Sequence, residues 1–137
     1  MRICSACLLG IKCRYDGKSK LNKKVIELSQ KEFLIPVCPE QLGGLPTPRE
    51  PAEQRGKKVF TKSGRNISKN FEAGAKQVLK IAKLLGVKEA ILKQRSPSCG
   101  YGRIHSGAFS GNIVKGSGTT AFLLKKNGIK IITEKDL

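Results

Sequence analysis

The run Asn66-Ile67-Ser68-Lys69-Asn70-Phe71-Glu72-Ala73-Gly74-Ala75-Lys76-Gln77-Val78-Leu79-Lys80-Ile81-Ala82-Lys83-Leu84-Leu85-Gly86 carries its apolar side chains at helical spacing. Ile67, Phe71, Ala75, Val78, Leu79, Ala82 and Leu85 recur every three or four positions, which predicts one buried stripe on a long helix. Asn66 reads as its cap and Gly86 as its stop. Immediately after it, Glu89–Leu92 reads as a strand, so a helix feeds a strand through a short turn. Working outward, Arg2–Ala6 and Phe33–Val37 are short apolar runs of strand type, the second cut off by Pro39. Lys23–Gln30 reads as a helix between them. On the other side, Thr119–Lys126 is a helix stopped by Asn127-Gly128, and Ile129–Thr133 is a last strand. Alternating strand and helix predict an α/β fold with a mostly parallel sheet of four to five strands covered by helices on both faces. That architecture is a Rossmann-like three-layer sandwich.

The 137 residues suit one domain spanning 1–137. Hydrophobic residues at 39% and charged residues at 27% describe a folded chain and exclude a disordered or fibrous one. No apolar run reaches the length of a membrane span, and Met1–Gly10 lacks the organisation of a signal peptide. A cytoplasmic protein is expected. The 27 Lys and Arg against 10 Asp and Glu give a net charge of +17, which favours polyanionic partners. Aromatics are only 5%, with no Trp, so a base-stacking platform is poorly supplied.

Five cysteines, Cys4, Cys7, Cys13, Cys38 and Cys99, form an odd set in a chain without an export signal, which argues against a disulfide framework. Cys4 lies in an apolar stretch and reads as a buried small side chain. Cys7, Cys38 and Cys99 each follow a predicted strand. Carboxyl ends of parallel strands share one rim, so residues 31 and 61 positions apart can meet there. Cys4 and Cys7 have a zinc-like Cys-x-x-Cys spacing, but a strand end turns them to opposite sides. Three thiolates from three loops suit an iron-sulfur cluster at least as well, with one iron left open to an outside ligand.

The thiol loops read Ser5-Ala6-Cys7-Leu8-Leu9-Gly10 with Arg14-Tyr15-Asp16-Gly17, then Val37-Cys38-Pro39-Glu40-Gln41-Leu42-Gly43-Gly44-Leu45-Pro46-Thr47-Pro48-Arg49, then Ser96-Pro97-Ser98-Cys99-Gly100. With Phe109-Ser110-Gly111 and Gly116-Ser117-Gly118-Thr119-Thr120-Ala121, they resemble the thiouracil desulfidase family along nearly the whole chain. The resemblance implies a 4Fe-4S cluster held by Cys7, Cys38 and Cys99, and non-redox hydrolytic removal of sulfur from a thiolated uracil. Cys4 and Cys13 are then spare. His105-Ser106-Gly107-Ala108 departs from the family's Tyr-Asp-Gly-Thr at that loop.

A thiocarbonyl sulfur is soft and would bind at the open iron, leaving its carbon to water. Water needs a base, and Glu40, two residues past Cys38 and stiffened by Pro39, is the carboxylate nearest the cluster. An ion pair with Arg49 is its ordinary structural role. Ser96 is taken as the substrate partner mainly on the resemblance, with Ser98 beside it. Gly116-Ser117-Gly118-Thr119 opens a helix and predicts a phosphate cradle, helped by Lys115 and Arg95. His105, the sole histidine, reads as a surface residue. The expected partner is a small thiolated base or nucleotide, or a thiolated tRNA. The alternative is a nucleic-acid-binding module whose cluster or zinc is structural only, and a thiol-redox enzyme ranks third.

Overall fold

A computed structural model describes residues 1–137. The long helix is α3, Ser68–Leu85, and Phe71, Gly74, Ala75, Val78 and Ala82 form its buried stripe. Gly86, at φ +66°, ends it by donating its N–H to the carbonyls of Ala82 and Lys83. Asn66 is not the cap: its Oδ1 accepts from Ser68 N at 3.0 Å, and Ile67 occupies the cap position. The shift follows from Ile67, whose N–H bonds Val59 O at 2.9 Å and whose buried side chain packs with Val59 and Phe71.

The sheet comprises β1 Arg2–Ser5, β2 Leu34–Val37, β5 Glu89–Leu92 and β8 Lys130–Thr133, in the order β2-β1-β5-β8. All pairings are parallel, with Ile3 opposite Ile35 on one side and Ala90 on the other. Alternation along the strands sorts the core into two layers. Ile3, Ala90, Leu92 and Ile131 pack with Val78 and Ala82 of α3 and with Ala121 and Leu124 of α4, Thr119–Lys126. On the other face, Cys4, Ile91 and Ile132 pack with Val25 and Leu28 of α1, Lys23–Ser29. The two-faced sandwich of four to five strands expected from the sequence is observed with four, and the ends of the expected elements lie within about a residue. No helix is long and apolar enough to cross a membrane.

Beyond short 3-10 turns at Ala6–Leu9 and Glu134–Asp136, a helix and two hairpins lie outside the expected set. Pro39–Leu42 forms a short helix, α2, and two antiparallel hairpins flank the sheet: β3 Ala52–Arg55 with β4 Lys58–Thr61, and β6 Arg103–His105 with β7 Ile113–Lys115. The first hairpin turns at Gly56, at φ +60°, a backbone state that glycine adopts without steric cost. α2 lies almost backbone to backbone on α3. A Cβ on Gly74 would stand 1.9 Å from Pro39 O, and one on Gly43 2.0 Å from Asn70 O. Asn70 Nδ2 also donates to Gly43 O at 2.9 Å. The best helix in the chain thus holds the segment that follows Cys38.

Candidate active site

The chain runs from β1 to β2 on one side, and β5 lies on the other side of β1. Beyond the carboxyl ends of strands so arranged, the outgoing loops diverge and leave a crevice. Here it is a cavity of about 450 Å³ whose wall includes Cys7, Cys13, Cys38 and Cys99. Cys7 sits in a 3-10 turn, Ala6–Leu9, directly after β1, and Gly10 at φ +89° closes that turn. Cys38 stands at the cap of α2, with Pro39 at the first helical position. Cys99 ends the Ser96–Gly100 turn, in which Gly100 N bonds Ser96 O at 2.8 Å.

All five cysteines are free thiols. Burial pushes Cys7 up to about 11 and Cys99 up to about 12. Cys38 Sγ donates to Cys13 O at 3.6 Å, and the neighbouring thiols act on each other, raising Cys13 and lowering Cys38 below the ordinary thiol value. Cys4 is fully buried, faces α1 and lies outside the cavity wall, as its apolar setting implied. No three of the Cys, His, Asp and Glu side chains converge on a single ion position.

Glu40 enters the cavity from α2 with both carboxylate oxygens held. Arg49 Nε donates to Oε1 at 3.1 Å and Ser98 Oγ donates to Oε2 at 3.1 Å. Ser96 Oγ accepts from Ser98 N at 3.2 Å and Cys99 N at 3.1 Å, and lies 3.0 Å from Ser98 Oγ. With the Ser98 proton directed to Glu40, Ser96 donates to Ser98. The hydroxyls therefore form a chain, Ser96 to Ser98 to Glu40, and Ser98 is the member that touches the carboxylate.

Arg95 also lines the cavity, in the left-handed region at φ +67°, a costly state for a residue with a Cβ. Lys93 Nζ bonds Glu134 Oε2 at 3.1 Å, and Glu134 Oε1 accepts from Gln94 N at 2.7 Å. The terminal turn thereby props the start of this loop. Arg14, Lys20 and Arg95 line the wall without a carboxylate partner.

At the helix start expected to cradle a phosphate, Gly116, Ser117, Gly118 and Thr119, three of the four backbone amides already have partners. None of the four lines the cavity. Gly116 N donates to Gly102 O at 3.1 Å, Gly118 N to Gly100 O at 2.7 Å and Thr119 N to Pro97 O at 3.0 Å. Ser117 Oγ accepts from Gly102 N at 3.3 Å. The amides that would meet an anion instead grip the turn carrying Cys99. His105, expected at the surface, is half-buried in the cavity wall, and its Nδ1 has no hydrogen-bond partner. Glu53, unremarked in the sequence, lines the wall and accepts from Gly107 N at 3.0 Å and Phe109 N at 3.1 Å, which fixes the loop after His105.

A family model described as 2-thiouracil desulfurase matches residues 3–136. The chain belongs to that family. Within it, the chain is 42% identical over 147 aligned positions to the protein YbbK of Bacillus subtilis strain 168, covering all of this chain and 97% of YbbK. Among solved structures it is similar to a [4Fe-4S]-dependent thiouracil desulfidase, TudS. The TM-score is 0.94 and the identity 43%, over 99% of this chain and 91% of that one. Family, fold and enzyme class are those the sequence resemblance implied.

Proposed function

We propose that the chain is a [4Fe-4S]-dependent desulfidase that replaces the sulfur of a thiolated uracil by oxygen, without net redox change. Cys7, Cys38 and Cys99 are the cluster ligands, Glu40 is the general base, and Ser98 and Ser96 form its proton relay. The single observation that carries this reading is the convergence of the rim thiols Cys7, Cys38 and Cys99, with Cys13 beside them and the Glu40 carboxylate among them, on a cavity at the sheet's crossover point. The donor set fits the cofactor: the thiols are soft, come from three loops and line one cavity. The solved relative described as [4Fe-4S]-dependent supports it, at 43% identity across nearly the whole chain.

When bound, the cluster supplies a soft Lewis acid for the thiocarbonyl sulfur and draws electron density from the adjoining carbon. The chain's own groups do the rest. Glu40 takes a proton from water as its oxygen forms a bond to that carbon, and Ser98 keeps the carboxylate aimed into the cavity. The C–S bond then breaks, the ring carbonyl forms, and the two protons of water leave with sulfur as hydrogen sulfide. Atoms balance with water as the only co-reactant. Arg14, Lys20 and Arg95, which no carboxylate neutralises, favour an anionic substrate such as a thiolated nucleotide over a neutral base.

The test is sulfide release by anaerobically reconstituted protein from 2-thiouracil, 4-thiouracil, their nucleotides and a thiolated tRNA. Stoichiometric sulfide and the oxygenated pyrimidine are expected from at least one. Glu40→Gln keeps the cluster absorption and loses about 100-fold or more in kcat. Absence of sulfide from every substrate, with the cluster intact, contradicts the reading.

A further inference from the structure

Arg49 is the most heavily bonded cation in the molecule. Its side chain is only 7% exposed. Nε donates to Glu40 Oε1 at 3.1 Å, Nη1 to Thr47 Oγ1 at 3.0 Å and to Pro46 O at 3.1 Å, and Nη2 to Cys13 O at 3.0 Å. Its own backbone N–H bonds Tyr15 O at 2.8 Å. Each guanidinium nitrogen is engaged, and the acceptors of the side chain and backbone together belong to two loops: Cys13 and Tyr15 to the one after β1, and Glu40, Pro46 and Thr47 to the one after β2.

A surface ion pair is worth little, but this one is neither exposed nor isolated. The planar fork fixes the direction from which Nε approaches Glu40, because its other edge is anchored to Cys13 O. With Ser98 holding Oε2, the carboxylate is gripped on both oxygens from two different loops. A carboxylate held that way cannot rotate when water gives it a proton.

We infer that Arg49 is a positioning residue for Glu40, setting the orientation of the proposed base rather than holding the loops together. The inference rests on the desulfidase reading and adds to it a role for the cation. A lysine at 49 keeps the charge and loses the fork: one ammonium cannot reach Glu40 and Cys13 O in the same geometry.

The experiment compares Arg49→Lys, Arg49→Ala and Thr47→Val with the parent, after anaerobic reconstitution. The readouts are cluster absorption, KM and kcat for the thiolated substrate the parent turns over best. For Arg49→Lys, cluster absorption and KM stay at parent values and kcat falls about 100-fold, the scale of an ångström's misplacement. For Arg49→Ala, millimolar guanidinium restores part of the lost kcat. Thr47→Val removes one of the two bonds to Nη1, leaves the bond to Glu40 in place, and lowers kcat less than Arg49→Lys does. The role is overturned if Arg49→Lys retains kcat or loses the cluster, if guanidinium restores nothing, or if Thr47→Val falls as far. An inactive parent sinks the desulfidase reading, and this role with it. An active parent beside an equally active Arg49→Lys sinks the role alone.

Discussion

Ser98 Oγ donates to Glu40 Oε2 at 3.1 Å across 58 residues of sequence. That bond ties the turn ending in Cys99 to the helix beginning after Cys38. One hydroxyl therefore reports whether two of the three proposed ligand loops are in register with the base.

Removing that hydroxyl is the first prediction. A hydrogen bond to a charged group is worth about 1.5–3 kcal/mol. Ser98→Ala therefore lowers kcat by about tenfold or more while iron content and KM stay at parent values. Steady-state sulfide release with parallel iron analysis checks this, and an unchanged kcat removes Ser98 from the mechanism.

Gly118 tests the role of the helix start that the sequence suggested as a phosphate cradle. A Cβ there would lie 2.5 Å from Ser98 C, 2.6 Å from Ser98 O and 2.8 Å from Pro97 O, all of them backbone atoms. Its φ of −63° suits any residue, so the cost is purely steric. Gly118→Ala displaces the Ser96–Gly100 turn, and bound iron falls well below the parent value after reconstitution. Parent iron content in this variant would mean the turn tolerates the shift.

Gly74 tests the contact that seats the helix after Cys38. In a helix interior alanine is ordinarily preferred to glycine by about 1 kcal/mol. Here the added methyl meets Pro39 O at 1.9 Å, and α2 cannot withdraw without dragging Cys38 and Glu40. Gly74→Ala is expected to destabilise by about 3 kcal/mol, on the order of 10 °C in Tm. A thermal melt of the metal-free protein measures it; an unchanged or higher Tm contradicts the close packing.

The sheet and its covering helices were legible because they carry apolar periodicity: Ile67 through Leu85 on α3, and short apolar runs in all four strands. The hairpins were not. Ala52-Glu53-Gln54-Arg55 has no apolar alternation, and Arg103-Ile104-His105 is too short to show any; backbone pairing and the turns at Gly56 and Gly107 make them. At the site, Cys7, Cys38, Cys99 and Glu40 could be read because each follows a strand end. The ion pair of Glu40 with Arg49 was legible and is present, but the bond from Arg49 to Cys13 O and the role of Glu53 were not, since Cys13 O and Gly107 N become their neighbours only after folding. Gly116–Thr119 misled for a related reason. A glycine-rich helix start displays amides, but only the fold reveals that Pro97 and Gly100 carbonyls already occupy them.

The most direct measurement is iron and acid-labile sulfide per chain after anaerobic reconstitution, on the parent and on each Cys→Ser variant in turn. The account predicts the [4Fe-4S] stoichiometry named for the solved relative in the parent, Cys4→Ser and Cys13→Ser proteins, and its loss in Cys7→Ser, Cys38→Ser and Cys99→Ser. A parent that takes up no iron, or a cluster that survives loss of any of those three thiols, contradicts it.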